Sequence, residues 1–216
     1  MTEFTSIDME MSWIDSHEDV MSFQEVWLQY TIQKVKELHG DEIRDLFGIE
    51  VTVPKVPFPR LKMIEAYAII KSQDYALQPE KKGDIDPGGE RLLGKYIKDK
   101  TGNDFVFIID WPATVRPFYH MRHADAPKLT KSFDLLGGGL ELTTGAQREH
   151  RYDVLAQQAL EKGLHLEPIQ FYLDFFKYGC PSHGGFGFGL SRLLMVMLGI
   201  ANIRETVYLF RGPTRL

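Results

Sequence analysis

The feature that most constrains the fold is a glycine triplet at 137–139, set between two short apolar runs. Glycine adopts the positive φ angles that tight hairpin turns require. The runs 131–136 and 139–144 are therefore predicted to pair as antiparallel strands around a Gly137-Gly138 turn. A hairpin with one apolar face supplies one side of a hydrophobic core.

In this register Asp134 lies directly opposite Glu141, and strand alternation puts Thr143 on the same polar face. The apolar face then carries Phe133, Leu135, Leu140 and Leu142. Opposed like charges destabilise a sheet unless a cation lies between them. Magnesium prefers carboxylate oxygens, waters and substrate phosphates, so the pair predicts a magnesium site that a nucleotide completes. The alternatives are two solvated acids, or another register that the three glycines also allow.

The rest of the chain predicts an α+β fold, an antiparallel sheet flanked by helices, more than a doubly wound parallel sheet. Apolar residues alternate from Ser6 to Trp13, which indicates a strand, and Ser16 with Asp19 forms a capping box for a long helix that stops at Gly40. Other predicted helices are 61–71, a run from Glu90 that ends by Gly102, 152–161, 167–178 and 190–198. Further predicted strands are 105–109 and 207–210.

Composition gives only broad information about the class of protein. A chain of 216 residues with 44% apolar and 25% charged residues is typical of one globular domain. The net charge of -5 points to no particular partner. The single cysteine, Cys180, suits a reducing compartment, and no apolar run is long enough to predict a membrane span or a secretory signal. These observations favour a cytoplasmic protein without a membrane partner.

Two arginines are candidates for binding anionic ligands. Arg148 presents a planar fork that suits a carboxylate, or else it forms a surface pair with Glu149. The segment 183–192 resembles a dinucleotide fingerprint but lacks its third glycine, because that position is Arg192. An arginine in a first helical turn favours a phosphate ligand; the alternative is a glycine-rich strand packed against a helix.

Four stretches together resemble one known family: 3–13, 111–121, 132–151 and 181–216. They are similar to the class II aminoacyl-tRNA synthetases, and within these to the aspartyl-tRNA synthetases of archaeal and eukaryotic type. The resemblance covers almost the whole chain. It implies an aspartate–tRNA ligase that converts aspartate and ATP to aspartyl-adenylate, with Mg²⁺, and passes the aminoacyl group to tRNA.

The resemblance also implies roles for particular residues. The metal ligands would be Asp134, Glu141 and Thr144, where the family usually has serine at the last position. The substrate-binding residues would be Asp8, Thr144 and Arg148. The nucleotide-binding residues would be Glu141, Gly189, Leu190, Ser191 and Arg192. Arg148 and Arg192 would be the catalytic residues, and no nucleophilic side chain is required.

The resemblance places residues 1–216 within a single catalytic domain. The first motif of the family, the arginine of its second motif and the anticodon-binding domain are expected upstream of these residues. We therefore expect this chain alone to form adenylate weakly or not at all, and the complete enzyme to be a homodimer. Alternative interpretations are an asparaginyl-tRNA synthetase, an asparagine synthetase-like paralogue and a non-catalytic paralogue.

Overall fold

A six-stranded sheet organises the computed structural model, which describes residues 2–78 and 83–214. Its strands are β1 (Ser6–Ser12), β2 (Arg60–Lys62), β3 (Phe105–Ile109), β4 (Ser132–Gly137), β5 (Leu140–Gln147) and β6 (His183–Gly189). Their order is β1-β6-β5-β4-β3-β2, and neighbours are antiparallel except for the parallel pair β2 and β3. The predicted α+β class is confirmed, with one parallel pair in place of a wholly antiparallel sheet.

Six helices flank this sheet among the described residues: α1 (His17–Phe47), α2 (Met63–Ser72), α3 (Pro87–Thr101), α4 (Tyr152–Glu161), α5 (Gln170–Asp174) and α6 (Leu190–Leu198). The predicted capping box of α1 is present, since Ser16 accepts from Glu18 N–H and Asp19 accepts from Ser16 N–H. The predicted end at Gly40 is wrong. The helix ends at Phe47, and Gly48, which has φ 68°, is its C-cap. A mid-helix glycine costs only about 1 kcal/mol, and burial of Ile43 beyond it opposes that cost.

Alternate residues of β3 supply two cores on opposite faces of the sheet. Phe105, Phe107 and Ile109 belong to the cluster that α1 covers, whereas Val106 and Ile108 belong to the cluster that α2 and α3 cover. A third, smaller cluster joins α4 and α5 through Leu155, Leu173 and Phe176. On the sheet face opposite α1, helices α2 and α3 therefore cover strands β2 to β4. The other half of that face is available for a site.

The predicted register of the hairpin is wrong by one position at the turn. The turn residues are Gly138 and Gly139, with φ 58° and 77°. A bulge between Leu135 and Leu136 then pairs Asp134 with Thr144, and Leu136 with Glu141. The register is decided by tertiary contact with α3, because a side chain on Gly139 would lie 2.8 Å from the Cα of Arg91.

The bulge also changes which threonine faces the site. Thr143, predicted on the polar face, turns toward α1, where its hydroxyl accepts a hydrogen bond of 2.7 Å from Gln24. Thr144 takes its place beside Asp134. One extra residue in a strand exchanges the faces of the residues that follow it.

The glycine-rich segment is strand β6. Three other segments differ from the predictions. Residues 207–210 form no strand but follow a 3-10 turn at Ile203–Thr206. The predicted helix over 167–178 is a 3-10 turn at Glu167–Ile169 followed by the short α5. The short strand β2 precedes α2. No helix in the described part of the chain has the length and apolar content needed to cross a bilayer.

Candidate active site

A straight row of residues crosses the sheet face that α1 does not cover. The strand registers align Asp8 with Gly187, Gly187 with Thr144, and Thr144 with Asp134. Because neighbouring strands lie about 4.8 Å apart, three steps separate Asp8 from Asp134 by about 14 Å. The two acids cannot hold the same ion, so the row suits an extended ligand with a different group at each end.

Half of the centre of this row has no side chain, because Gly187 lies between Asp8 and Thr144. A Cβ on Gly187 would lie 3.0 Å from Asp8 Oδ1, and one on Gly185 would lie 2.6 Å from the carboxyl carbon of Glu10. A larger residue at Gly187 would crowd Asp8, and one at Gly185 would meet the backbone oxygen of Met9 as well as Glu10. The glycine-rich composition of β6 therefore gives a flat floor bordered by the carboxylates of β1.

At one end of the row Asp134 is buried and paired with an arginine that the sequence did not single out. Arg116 Nη2 donates to Asp134 Oδ2 at 2.5 Å, and its guanidinium lies 4.0 Å from the centre of the Trp111 ring. Asp134 Oδ1 is buried and has no hydrogen-bond partner in the described part of the protein. Burial raises the pKa of Asp134 to about 6, with Glu141 adding to the rise and Arg116 opposing it.

Glu141, at the start of β5, is the centre of a second group of contacts. Thr144 Oγ1 donates to its carboxylate at 3.2 Å, and Arg192 Nη1 donates to its backbone oxygen at 2.5 Å. Glu90, from the first turn of α3, accepts from Glu141 N–H at 3.1 Å. Burial, with the nearby charge of Glu141, raises the pKa of Glu90 to about 7. Glu90 is thus a third acid near Asp134 and Glu141, and sequence patterns did not identify it.

The oxygen atoms around Asp134 and Glu141 fit a magnesium ion that takes some of its ligands from the protein and the others from a substrate. The unpartnered Oδ1 of Asp134, the carboxylate of Glu141 and the hydroxyl of Thr144 are all oxygen ligands. Within residues 2–78 and 83–214, no group of three or more His, Cys, Asp or Glu side chains is arranged to bind a metal by itself. Such a partial set suits magnesium, which usually keeps waters and binds phosphate oxygens.

A cavity of about 450 Å³ opens beside these groups. Of the predicted ligand-binding residues, it is lined by Glu141, Thr144, Gly189, Ser191 and Arg192. The other predicted residues do not line it: Asp8, Asp134, Arg148 and Leu190. Arg192 reaches the cavity because Gly189 ends β6 and starts α6, which places the arginine in the first helical turn. This position favours an anion.

Arg148 lies at the other end of β5, directly after Gln147. Its Nε and Nη2 donate to Glu10 Oε1 at 3.0 and 2.5 Å, and its Nη1 lies 3.3 Å from His120 Nε2. The guanidinium also lies 5.7 Å from the centre of the Tyr119 ring. The alternative pairing with Glu149 is not observed, since Glu149 is bound by Arg151.

Sequence reasoning missed several of these neighbours. Glu10 could have been found, because it follows Asp8 on the polar face of β1. Arg116 and His120 lie in a segment, 111–121, that has no regular periodicity and meets the site only through tertiary pairing. Among the predicted residues, Glu141 and Thr144 lie with Asp134 and Arg192 near the start of β5, and Arg148 directly follows its end. Asp8 lies across the sheet on β1, opposite Gly187.

Comparisons with known proteins agree with this architecture. The family model for tRNA synthetases class II (D, K and N) matches residues 1–211. An aspartate–tRNA(Asp/Asn) ligase of Aeropyrum pernix is 43% identical over 100% of the chain and 49% of its own length. An aspartate–tRNA(Asp) ligase of Pyrococcus abyssi is 44% identical, again over 100% of the chain and 49% of the relative. The chain thus spans about half the length of these curated relatives.

Solved structures give the same result. The aspartyl tRNA synthetase of Entamoeba histolytica superposes with a TM-score of 0.91 at 31% identity, over 99% of this chain and 44% of that one. The asparaginyl-tRNA synthetase of Pyrococcus horikoshii superposes with a TM-score of 0.87 at 28% identity, over 100% of this chain and 50% of that one. The chain therefore belongs to the class II tRNA synthetases of the D, K and N group.

Proposed function

We propose that this chain forms the aspartate- and ATP-binding part of an aspartate–tRNA ligase. The observation that carries the proposal is the position of two arginines at opposite ends of β5, with the row from Asp8 to Asp134 between them. One arginine suits the side-chain carboxylate of an amino acid, and the other suits a phosphate. The curated relatives at 43% and 44% identity carry the name of this activity.

In the proposed reaction an oxygen of the aspartate α-carboxylate attacks the α-phosphorus of ATP. The bond from that phosphorus to the bridging oxygen breaks, and pyrophosphate leaves. The 3′-terminal hydroxyl of tRNA then attacks the carbonyl carbon of aspartyl-adenylate and AMP leaves. The chain's own residues orient the reactants: Arg148 the side-chain carboxylate, Asp8 the amino group, and Arg192 the triphosphate.

Magnesium would be held by Asp134, Glu141 and Thr144, and when bound it would neutralise phosphate charge. Arg116 stabilises Asp134 as an anion despite its burial, and Glu90 fixes the backbone of Glu141. The complete enzyme is proposed to act as a cytoplasmic homodimer on tRNA. Support for these last points comes from the family alone.

Binding measurements test the proposal directly. Isothermal titration of the chain with L-aspartate and, separately, with ATP and magnesium should give two independent binding events. Arg148→Leu should remove aspartate binding and leave ATP affinity unchanged, whereas Arg192→Leu should do the reverse. Loss of both ligands in both variants, with intact folding by circular dichroism, would contradict the assignment of the two ends.

One observation favours a second candidate, a ligase for asparagine. Arg148 is already paired with Glu10, so the two side chains together offer a donor and an acceptor, which is the pattern that a carboxamide needs. Titration with both amino acids separates the candidates. We expect aspartate to bind more tightly; preference for asparagine would favour the alternative.

A further inference from the structure

A backbone pairing outside the six-stranded sheet brings His120 beside Arg148. Residues 119–121 run antiparallel to 147–149, with Met121 N–H donating to Gln147 O at 3.0 Å and Glu149 N–H donating to Tyr119 O at 2.9 Å. These two bonds flank the facing pair of His120 and Arg148. In such a non-hydrogen-bonded pair the Cα atoms approach to about 4.5 Å and the side chains share one face. The fold therefore fixes this contact through the backbone.

The contact requires a neutral imidazole. Arginine nitrogens only donate, so His120 Nε2 must accept from Arg148 Nη1, and the ring proton must lie on Nδ1. His120 is only 2% exposed, and its Nδ1 has no hydrogen-bond partner among the described residues. Burial lowers the pKa of His120 far below its usual value, and the charges of Arg148, Arg116 and Lys162 lower it further. Protonation would place a second cation against the guanidinium.

Two acceptors on different sides then hold the arginine. Glu10 binds Nε and Nη2, and His120 binds Nη1, which uses three of the five guanidinium N–H groups. The remaining two, one on each terminal nitrogen, have no acceptor in the described part of the chain. They provide a fork for an external carboxylate. A second anion in the place of His120 would repel that carboxylate, whereas a neutral acceptor orients the fork without changing its charge.

We propose that His120 is a positioning residue for Arg148, which it holds through a neutral Nε2 acceptor so that the free side of the guanidinium receives the substrate carboxylate. The inference rests on the proposed function only for the identity of that carboxylate. It concerns selection of the amino acid and not the binding of ATP, whose cavity does not include His120.

Two variants separate positioning from simple packing. His120→Phe keeps the size of the ring and removes the acceptor, whereas His120→Gln keeps an acceptor oxygen near the position of Nε2. We expect His120→Phe to weaken the affinity for L-aspartate about tenfold, as for loss of one hydrogen bond to a charged group. His120→Gln should remain within about twofold of the unmodified chain, and both should bind ATP as before. Equal loss in the two variants, or no loss in His120→Phe, would overturn the proposal.

A spectroscopic measurement decides the contact independently of ligand binding. In the chain labelled with ¹⁵N-histidine, His120 should appear as the neutral tautomer protonated on Nδ1 throughout pH 5.5–8. A cationic ring at pH 7, or a proton on Nε2, would overturn the proposal even if aspartate binds. If the unmodified chain binds no aspartate, the proposed function fails, and the tautomer still decides the His120 contact. Thermal unfolding of each variant monitors its folding.

Discussion

At the scale of single residues, Asp134 and Arg116 show how the site accommodates a buried carboxylate. Asp134 is an anion on a sheet face that α2 and α3 partly cover, and Arg116 is its one ion-pair partner among the described residues. The Trp111 ring fixes that arginine from its other side. Arg116 therefore contacts both other groups, and its removal would leave Asp134 without this ion pair.

Removal of the arginine alone should therefore be more harmful than removal of the pair. Arg116→Met leaves the Asp134 carboxylate buried without a counter-charge, and we expect a loss of about 3 kcal/mol in the free energy of unfolding. Combining Arg116→Met with Asp134→Asn should recover most of this loss. Urea titrations of the three proteins check the prediction, and equal destabilisation of the single and double variants would contradict it.

Glu90 should make stability depend on pH. Its pKa rises from about 4.5 to about 7 on folding because of burial. The folded chain therefore binds the proton more tightly, and this contribution to stability is full below pH 4.5 and is lost as the pH rises toward 7. Glu90→Gln should remove this contribution to the pH dependence of the free energy of unfolding. In urea titrations, the free energy of unfolding of the variant relative to that of the unmodified chain should increase from pH 5 to pH 8. The same difference at both pH values would contradict this prediction.

At the scale of elements, close packing between α3 and the hairpin turn determines the register. Gly94 lies on α3 against Gly139, where an added Cβ would lie 2.5 Å from backbone atoms of the turn. By contrast, Gly40 lies within α1, and its nearest contact for a Cβ would be Lys36 Cγ at 3.6 Å. The same residue type therefore has two different roles in two helices.

Alanine substitutions at these two glycines should have opposite effects. Gly40→Ala should stabilise the chain by about 0.5–1 kcal/mol, because alanine favours the helix and has room. Gly94→Ala should destabilise it by at least about 1–3 kcal/mol, because backbone must move. Thermal unfolding midpoints of the two variants provide the test. Stabilisation by Gly94→Ala would show that the contact with the turn is not tight.

Local patterns predict some elements well and tertiary contacts decide the others. The capping box at Ser16 and the apolar run Phe105–Ile109 contain their own signals, and both are found where predicted. The hairpin register depends on Gly94, which lies more than 40 residues from the turn. For the same reason, the neighbours of Arg148 could not be read from its surroundings in the sequence. His120 reaches it through a pairing between separate segments.

At the scale of the whole molecule, protection of the backbone should vary across the sheet. Strands β4 and β5 have neighbours on both sides, whereas β1 is an outer strand of the described sheet and pairs only with β6. Its outward N–H groups should exchange with solvent faster by orders of magnitude than those of β5. Amide hydrogen exchange followed by NMR measures this difference. Uniform protection of β1 would indicate that another segment covers its outer edge.

The bare glycine floor of β6 has a practical consequence for ligand design. In the proposed function, charged side chains recognise the two ends of a bound molecule, whereas backbone, the Thr144 side chain and shape constrain its middle. Analogues with a substituted linker should therefore be tolerated far better than analogues with altered ends, so the linker is the place where a stable mimic of the reactants can depart from the natural chemistry.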